Sequence, residues 1–582
     1  MSASKLLNAL DQYSSRSLGE NECPQHNWSK ESKEQLLQIY FQLVLSKKKT
    51  PAIDMYKNLL NKLFENYEEN REMIQYCYKL IAQTRDIIDG KGLYTLSYAL
   101  LGEWVRLCYV ENKANIENVN QALRYFVQNG DEHAFGSWKD LKYFANYCLK
   151  NINGINKNNY LIQYICKMYG DELANEFKNK DVRSLIAKWV PREKSKKFGW
   201  MAPIIAYYFC TSFSDLNLSI PSSNINQLKL FRQSVGSMNR ALDTTQIKQC
   251  NKEWASINFN NVTSITMNKQ SKAFSYTNAT AHKDDPDRIA CANNLKKYIQ
   301  EMKENVNKGK QGIKGKRVAI NDMIKKALYF NQHHSSQNDE VDILELQWKD
   351  NKTQNGALDN FIAMVDVSGS MTIDGALPLH SAIALGIRCS ECSKISNRVL
   401  TFSANPEWII YNEEDSLLRK TAKTLNGGWG MNTNFEAAYT LILEACIGNN
   451  MSPDEISNMT LLVLSDMQFD EAIRYAPNVP FFSHNVSKET MFENIKKKYY
   501  DMGMKTHGVP YSPPGIVFWN LRPSDGFPCL STTKNVAMVS GNSPALLNAF
   551  VNKGPEFLKD INPWMMFLEI IENERYNCMN LI

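Results

Sequence analysis

The sequence predicts a protein of two parts: an N-terminal all-α, helical-repeat (solenoid-like) region, then a C-terminal doubly wound α/β domain. Two observations predict this class. Up to about residue 330, apolar residues recur at three- and four-residue spacing, which is typical of amphipathic helices. Beyond residue 345, buried strand patterns alternate with helical ones, as in a mostly parallel sheet that carries helices on its faces.

Length and composition indicate a folded, intracellular protein. The chain has 582 residues, of which 43% are hydrophobic and 22% charged, which fits several globular domains and excludes wholesale disorder. The longest apolar stretch, residues 199–210, is shorter than the ~20 residues of a membrane span, and residues 1–15 lack the features of a secretory signal. The 13 cysteines follow no framework spacing, so we expect reduced thiols in the cytoplasm and no membrane partner.

The charge is unevenly distributed along the chain. Residues 1–345 carry 48 basic and 36 acidic side chains, a net of 48 − 36 = +12. Residues 346–582 carry 19 basic and 25 acidic side chains, a net of 19 − 25 = −6. Such asymmetry favours a first part that faces nucleic acid, although chance drift in surface composition is an equal alternative.

The helical region is expected to span residues 33–330, after an N-terminal tail at 1–32. Its helical segments are separated by turn signals such as Asp89-Gly90-Lys91-Gly92, and no exact repeat period is visible. The polar stretch from 331 predicts a linker over 331–344, and the second domain then occupies 345–582.

The second domain shows the alternation of strands and helices expected of a doubly wound sheet. Strands are predicted at 341–348, 361–367, 398–402, 408–411, 461–466, 515–521 and 536–540, with helices near 375–392, 434–446 and 543–553.

A set of oxygen-bearing side chains predicts a cation site in this domain. Asp366, Ser368 and Ser370 form a D-x-S-x-S sequence directly after a buried strand. Thr433 lies in a Gly-rich loop before a helix, and Asp466 ends another buried strand. Carboxylates and hydroxyls are hard ligands that suit Mg²⁺ or Mn²⁺, and the carboxyl ends of parallel strands meet at one edge of a sheet.

These five residues resemble the metal-ion-dependent adhesion site (MIDAS) of von Willebrand factor A domains, over roughly 345–582. The resemblance implies a Rossmann-like fold in which the D-x-S-x-S residues hold the cation directly. Thr433 and Asp466 would complete the shell, directly or through water, and an acidic protein ligand would take the open position. A descendant that has lost the metal is the alternative, and the spacer 467–514 is longer than a minimal A domain requires.

The order of the two parts also resembles Ro ribonucleoproteins, in which a helical TROVE ring is joined to an A domain. This likeness implies binding of single-stranded RNA ends and small structured RNAs. Segments 78–98, 135–144 and 188–200 carry a closer likeness to a group of giant-virus, plant and fungal proteins of unknown function with the same layout.

Two basic segments are the candidates for RNA contact. Residues 178–197 have a net charge of 8 − 2 = +6 and residues 294–326 of 10 − 3 = +7. Trp189 and Trp200 accompany the first segment, which would combine phosphate neutralisation with base stacking. A solvated helix face whose aromatic residues are buried is the alternative. The candidate RNA-contacting residues are Lys188, Arg192, Lys194, Lys196, Lys197, Lys314, Lys316 and Arg317.

No pattern predicts catalysis. Ser368 lacks the G-x-S-x-G elbow of a nucleophile, Cys389 and Cys392 have no second cysteine pair, and no Walker A sequence occurs. We therefore expect no catalytic residue and no enzyme activity. The sequence favours a non-enzymatic RNA-binding protein with a divalent-cation site, located in the cytoplasm, or in the host cytoplasm or virion if its source is viral. The alternative is a protein-interaction scaffold or virion structural component with no nucleic-acid role.

Overall fold

A computed structural model describes most of the chain. The described residues are 16–18, 24–47, 50–130, 132–179, 184–212, 223–276, 284–333, 338–395, 397–401, 406–427, 435–468, 491–524, 526–551, 553, 557 and 559–582.

Helices predominate along the described chain, and the strands of its larger sheet lie in the C-terminal half. The α-helices are α1 (Ser32–Gln42), α2 (Pro51–Leu63), α3 (Arg71–Arg85), α4 (Tyr94–Tyr109), α5 (Ile116–Val127), α6 (Lys139–Asn151), α7 (Tyr160–Lys178), α8 (Ile186–Trp189), α9 (Ala202–Thr211), α10 (Asn224–Ala241), α11 (Thr245–Asn251), α12 (Ser264–Ser275), α13 (Pro286–Asn307), α14 (Ile320–Gln332), α15 (Asp339–Lys352), α16 (Ile373–Cys392), α17 (Leu417–Asn426), α18 (Phe435–Gly448), α19 (Pro453–Ser457), α20 (Met491–His507) and α21 (Pro563–Ile571). The strands are β1 (Arg16–Leu18), β2 (Pro24–His26), β3 (Phe361–Val365), β4 (Arg398–Thr401), β5 (Glu407–Ile410), β6 (Thr460–Ser465), β7 (Gly515–Asn520) and β8 (Val536–Ser540).

The chain divides into two compact units. One, the sheet unit, comprises Met1–Cys77 and Gln311–Asn577, and the other, the helical unit, comprises Tyr78–Lys310 and Cys578–Ile582. This division differs from the predicted domain bounds, because the first 77 residues group with the part of the chain that forms the larger sheet. In the part of the chain that the structure describes, no helix combines the length and the apolarity that a membrane span requires.

The helical unit is built from helices that pack on their neighbours along the chain. Helix α4 packs on α5 and α6, α7 packs on α9, and α12 packs on α13. Large side chains such as Trp104, Phe144 and Tyr169 fill the interior. Packing between sequence neighbours is what a helical-repeat region requires, since each helix pair must bury its apolar face against the next.

A buried ionic cluster holds the first helices of this unit together. The Asp140 carboxylate accepts two hydrogen bonds from Arg85, at 2.9 Å and 2.7 Å, and one from the Tyr98 hydroxyl. The Ser137 N–H also donates to Asp140, at 2.7 Å. A Cβ on Gly136 would lie 2.6 Å from Asp140 Oδ2, so this position accepts only glycine without rearrangement. Arg85, the last residue of α3, therefore stabilises the interior of the helical unit.

The sheet unit contains a six-stranded sheet in the order β5-β4-β3-β6-β7-β8. All neighbouring strands pair in parallel except the edge strand β5, which runs antiparallel to β4. Strands β3, β6, β7 and β8 are buried along their whole length, as in a sheet covered on both faces. The strand order reverses between β3 and β6, which is the topological switch point of a doubly wound sheet.

Two predicted elements are corrected by the structure. Residues 341–348 were expected to form a strand, but they lie within α15, which Asn338 caps through its side chain. Most residues of α15 are buried, and the helix is covered on more than one side. Its apolar residues therefore do not form a single stripe along one helix face. The helix expected at 543–553 is a 3₁₀ helix, Pro544–Phe550.

Helix α1 is an integral part of the sheet unit. Its carbonyl end meets the carboxyl ends of two strands: Asn520 Nδ2 donates to Phe41 O at 3.0 Å, and Ser540 Oγ donates to Tyr40 O at 2.8 Å. At the other end of the helix, Glu34 accepts the Ser531 N–H at 2.9 Å. The bonds from Asn520 and Ser540 add partners for carbonyls in the last turn of the helix, where intrahelical partners run out.

Candidate functional site

The switch point of the sheet brings the two predicted aspartates together. Asp366 directly follows β3, and Asp466 directly follows β6, its parallel neighbour. The Asp366 N–H donates to Leu464 O at 3.1 Å, which extends the strand pairing up to the site. Both carboxylates are completely buried. Open α/β sheets bind ligands at this position, outside the carboxyl ends of the strands.

The three residues of the D-x-S-x-S sequence form one cluster. Asp366 Oδ1 accepts the Ser368 N–H at 2.9 Å, and Asp366 Oδ2 accepts the Ser465 hydroxyl at 2.7 Å. The hydroxyl oxygens of Ser368 and Ser370 lie 3.0 Å apart. Burial, followed by the charge of Asp466, raises the pKa of Asp366 above its usual range. The cluster thus presents hard oxygen donors beside a carboxylate that lacks solvent stabilisation.

An arginine that the sequence did not indicate lies at this site. Arg522 follows β7, and its Nη1 lies 3.0 Å from Asp466 Oδ2 and 3.4 Å from the carbonyl oxygen of Ser370. Its guanidinium is nearly buried, so the ion pair is little screened by water. A fixed positive charge therefore already neutralises one of the two aspartates.

The segment after Ser370 is conformationally strained and tied to the N-terminal part of the sheet unit. Asp374 and Ala376 have positive φ angles of 58° and 62°, on either side of Gly375. Side chains with a Cβ rarely adopt this left-handed conformation, and such strain clusters at functional sites. Asp374 Oδ2 accepts the Ser46 hydroxyl at 2.7 Å and the Lys47 N–H at 3.2 Å.

The donor set fits a hard divalent cation only in part. The oxygen atoms of Asp366, Ser368 and Ser370 are suitable ligands for such a cation. Asp466, by contrast, is paired with Arg522. The remaining predicted ligand, Thr433, lies outside the described residues. Among the residues described, no three His, Cys, Asp or Glu side chains gather as a metal-binding group, so a cation here would depend on serine hydroxyls.

The predicted RNA-contacting residues lie in both units. Those between 188 and 197 belong to the helical unit, where Arg192, Lys194, Lys196 and Lys197 are exposed and Lys188 is half-buried. Lys314, Lys316 and Arg317 belong to the sheet unit and are also exposed.

The loop that carries Lys314, Lys316 and Arg317 is held by buried polar contacts. The N–H groups of Gly315 and Lys316 donate to Asp350 at 2.7 Å and 3.2 Å, and Gln347 donates to the Lys314 carbonyl at 2.9 Å. These contacts explain the backbone conformation of the loop and leave its charged side chains on the surface.

In the helical unit, lysines and aromatic rings form a mixed surface. The Lys142 ammonium lies 5.4 Å from the ring centre of Trp189 and donates to the Trp189 carbonyl at 2.6 Å. Lys139 lies 5.9 Å from the rings of both Trp189 and Tyr94. We call this the basic aromatic surface; its members are Lys139, Lys142, Lys188, Arg192, Lys197, Tyr94, Tyr143 and Trp189.

The alternative interpretation concerned the aromatic residues beside the basic segment, of which the structure buries Phe198 and leaves Trp189 and Trp200 half-buried. Two tyrosines of the basic aromatic surface are more exposed. Tyr94 is 46% exposed and Tyr143 is 38% exposed, and the Lys197 ammonium lies 5.1 Å from the Tyr143 ring. Phe198 is buried, in keeping with a role in the core. Rings with one open face beside ammonium groups are the combination that stacks on a base and neutralises a phosphate.

Burial, supported at Lys142 by neighbouring positive charge, lowers the pKa values of three lysines of this surface. Burial, and then the nearby charges of Lys139 and Arg192, lower the pKa of Lys142 to about 8. Burial likewise lowers the pKa values of Lys139 and Lys188. Lys139 and Lys142 were missed as candidates because they lie on α6, outside the basic segments. Their three-residue spacing, which places both on one helix face, was the available indication.

Comparison with known proteins gives two similarities. Residues 360–567 match the model of a family described as "Domain of unknown function (DUF7788)", which covers the six-stranded sheet and the carboxyl-edge site. The chain is also 26% identical, over 518 residues, to "Uncharacterized protein L728" of Acanthamoeba polyphaga mimivirus. The matched region covers 85% of this chain and 78% of that protein. The giant-virus likeness is thereby supported, and the assignments to Ro ribonucleoproteins and von Willebrand factor A domains stay predictions.

Proposed function

We propose that the protein binds single-stranded RNA through the basic aromatic surface of its helical unit. The observation that carries the proposal is the placement of Lys142 against the ring and carbonyl of Trp189, with Lys139 beside the same ring. Ammonium groups held next to partly open rings favour contact with phosphates and bases together. Recognition by shape and stacking, rather than by base sequence, is the expected mode.

A salt titration of RNA binding tests this function. The full chain is titrated with a fluorescent single-stranded oligoribonucleotide at increasing salt concentrations. If the five cationic side chains of the surface each contact one phosphate, the logarithm of the binding constant falls against log salt with a slope of about −3.5. Absence of measurable binding near physiological salt contradicts the proposal and favours a scaffold or virion structural component.

A second function, divalent-cation binding at the carboxyl edge of the sheet, is favoured by a separate observation. The Ser368 and Ser370 hydroxyls lie 3.0 Å apart beside the buried carboxylate of Asp366. These three residues would hold Mg²⁺ or Mn²⁺, and the bound cation would supply a coordination position for an acidic protein ligand. Arg522 would keep Asp466 paired, so the site would have one carboxylate fewer than the resemblance implies.

Calorimetric titration of the full chain with Mg²⁺ and Mn²⁺ tests the second function. One cation per chain is expected, with binding lost in Asp366→Ala. The proposals are independent, because the basic aromatic surface and the cation site belong to different units.

A further inference from the structure

A cavity of about 460 Å³ lies in the sheet unit, at the amino ends of three strands. Three lining residues shortly precede those strands: Ser457 before β6, Ser512 before β7 and Lys534 before β8. The cavity therefore lies at the edge of the sheet opposite to Asp366 and Asp466. Neither proposed function uses it.

The charged residues that line this cavity are all basic. They are Lys496, Lys534 and Lys559, and the other lining side chains are uncharged, so the lining has a net charge of +3. Lys496 and Lys534 are exposed, so their charge is accessible from solvent. A concave site lined by charges of one sign focuses its electric field and concentrates ligands of the opposite sign. The ligand class is therefore anionic.

Two tyrosine rings give the cavity an aromatic wall. Tyr500 lies one helical turn after Lys496 on α20, so both side chains lie on the same face of that helix. Tyr511 is buried, and its backbone N–H passes close to Gly503 of the same helix, where a Cβ would collide with it. The absence of a side chain at Gly503 thus lets the backbone before Tyr511 approach α20. The Tyr500 side chain is 53% exposed.

From this combination we propose that the cavity binds a small organic phosphate of mononucleotide size. The three ammonium groups and the Ser512 hydroxyl provide donors for the oxygens of a phosphate monoester, while the exposed Tyr500 side chain packs against a planar ring. The volume lies within the range of sites for small molecules. This site is separate from the RNA surface and from the cation site.

Calorimetry on the full chain tests the assignment with three probes: adenosine 5′-monophosphate, inorganic phosphate and adenosine. We expect the monophosphate to bind most tightly, inorganic phosphate more weakly and adenosine weakest. Adenosine binding as tightly as its monophosphate, or no binding of the monophosphate at millimolar concentration, overturns the proposal.

Substitutions locate the binding. Lys496→Glu and Lys534→Glu are each expected to weaken monophosphate binding at least about tenfold, since each replaces a charge-assisted contact by repulsion. Lys497→Glu is the matched control, because Lys497 is adjacent and exposed but does not line the cavity. Equal weakening by Lys497→Glu and Lys496→Glu contradicts the assignment. Lys142→Glu should leave monophosphate binding unchanged, and loss of binding in that variant would assign the monophosphate to the RNA surface instead. Circular dichroism verifies that each variant is folded.

Discussion

Arg522 and Asp466 form a buried ion pair, with Nη1 3.0 Å from Oδ2, at the switch point of the six-stranded sheet. The same guanidinium donates to the Ser370 carbonyl, so it joins the loops that follow β3, β6 and β7. With Asp366 and Asp466 ionised, the guanidinium reduces the net charge of the site from −2 to −1. A divalent cation would therefore meet a weaker field here than at a site without an arginine.

Removal of Arg522 is expected to destabilise the protein and to increase its dependence on a cation. In Arg522→Gln without divalent cations, Asp466 keeps a buried, uncompensated charge, and the free energy of unfolding should fall by about 3–5 kcal/mol. Urea denaturation with and without Mg²⁺ measures this, and Mg²⁺ should stabilise the variant more than the wild type. Arg419→Gln is the control, because Arg419 is exposed and its pair with Asp415 contributes at most about 1 kcal/mol. Equal losses in both variants would contradict a special role for Arg522.

Asp366 is expected to be indispensable for cation binding. Asp366→Ala removes the carboxylate of the D-x-S-x-S cluster and should abolish Mn²⁺ uptake, measured by electron paramagnetic resonance of the free ion. Asp359→Ala serves as the control, because this carboxylate pairs with Lys394 and lies just before the opposite end of β3. Stoichiometric Mn²⁺ retained in Asp366→Ala would place the cation elsewhere.

Charge reversal within the basic aromatic surface is expected to weaken RNA binding. Lys142→Glu should lower the affinity at least about tenfold near physiological salt and make the salt dependence shallower. Fluorescence anisotropy measures both quantities. Lys150→Glu, at the other end of α6, is the matched control, because Lys150 is exposed and lies outside the surface. A double charge reversal of Lys194 and Lys196 should weaken RNA binding less than Lys142→Glu does. If the double reversal weakens binding more, the RNA interface lies at Lys194 and Lys196 instead.

The affinity for RNA is expected to depend on pH near the pKa of Lys142. Since burial and the charges of Lys139 and Arg192 lower this pKa to about 8, the side chain loses its positive charge as the pH rises from 7 to 9. RNA binding should weaken over that range, with release of a proton from the free protein. Lys142→Arg keeps its charge throughout and should flatten the profile. An identical pH profile in the two proteins would exclude Lys142 as the group responsible.

The cluster of Arg85, Tyr98 and Asp140 is expected to stabilise the helical unit. Asp140→Ala leaves the buried Arg85 charge unpaired and should lower the stability by about 3–5 kcal/mol. Thermal unfolding followed by circular dichroism measures the loss. Asp171→Ala is the control, because Asp171 forms an exposed pair with Lys167 and should change stability by at most about 1 kcal/mol. If Asp140→Ala also lowers the stability by no more than about 1 kcal/mol, the cluster contributes little to stability.

Strands β3, β6, β7 and β8 of the larger sheet could be predicted because each is a short, buried, mostly apolar run. The bounds of all six strands of this sheet lie within two residues of those expected, for example Gly515–Asn520 against 515–521. The same criterion failed for Asp339–Lys352. There, the apolar residues of a helix that is buried on several sides include Leu344, Leu346 and Trp348, whose two-residue spacing resembles a strand.

The candidate site could be predicted where its residues form a short motif or directly end neighbouring parallel strands. Asp366, Ser368 and Ser370 form a recognisable motif, and their proximity to Asp466 followed from the rule that parallel strands end at one edge. Arg522 lies far from Asp466 in the sequence and belongs to no recognised motif, so no spacing rule connects the two. Lys139 was overlooked for a similar reason, since it is brought to Trp189 by helix packing rather than by the local sequence.

The bonds between α1 and the strand ends have a consequence for biosynthesis. The Phe41 carbonyl accepts a hydrogen bond from Asn520, and the Tyr40 carbonyl accepts one from Ser540. These partners lie 479 and 500 residues later in the chain. At about 5–20 residues per second, a ribosome needs roughly 25–100 s to supply these partners. Throughout that interval the residues of α1 that pack against β8 lack this partner. The sheet unit therefore completes its folding only after translation has passed Ser540.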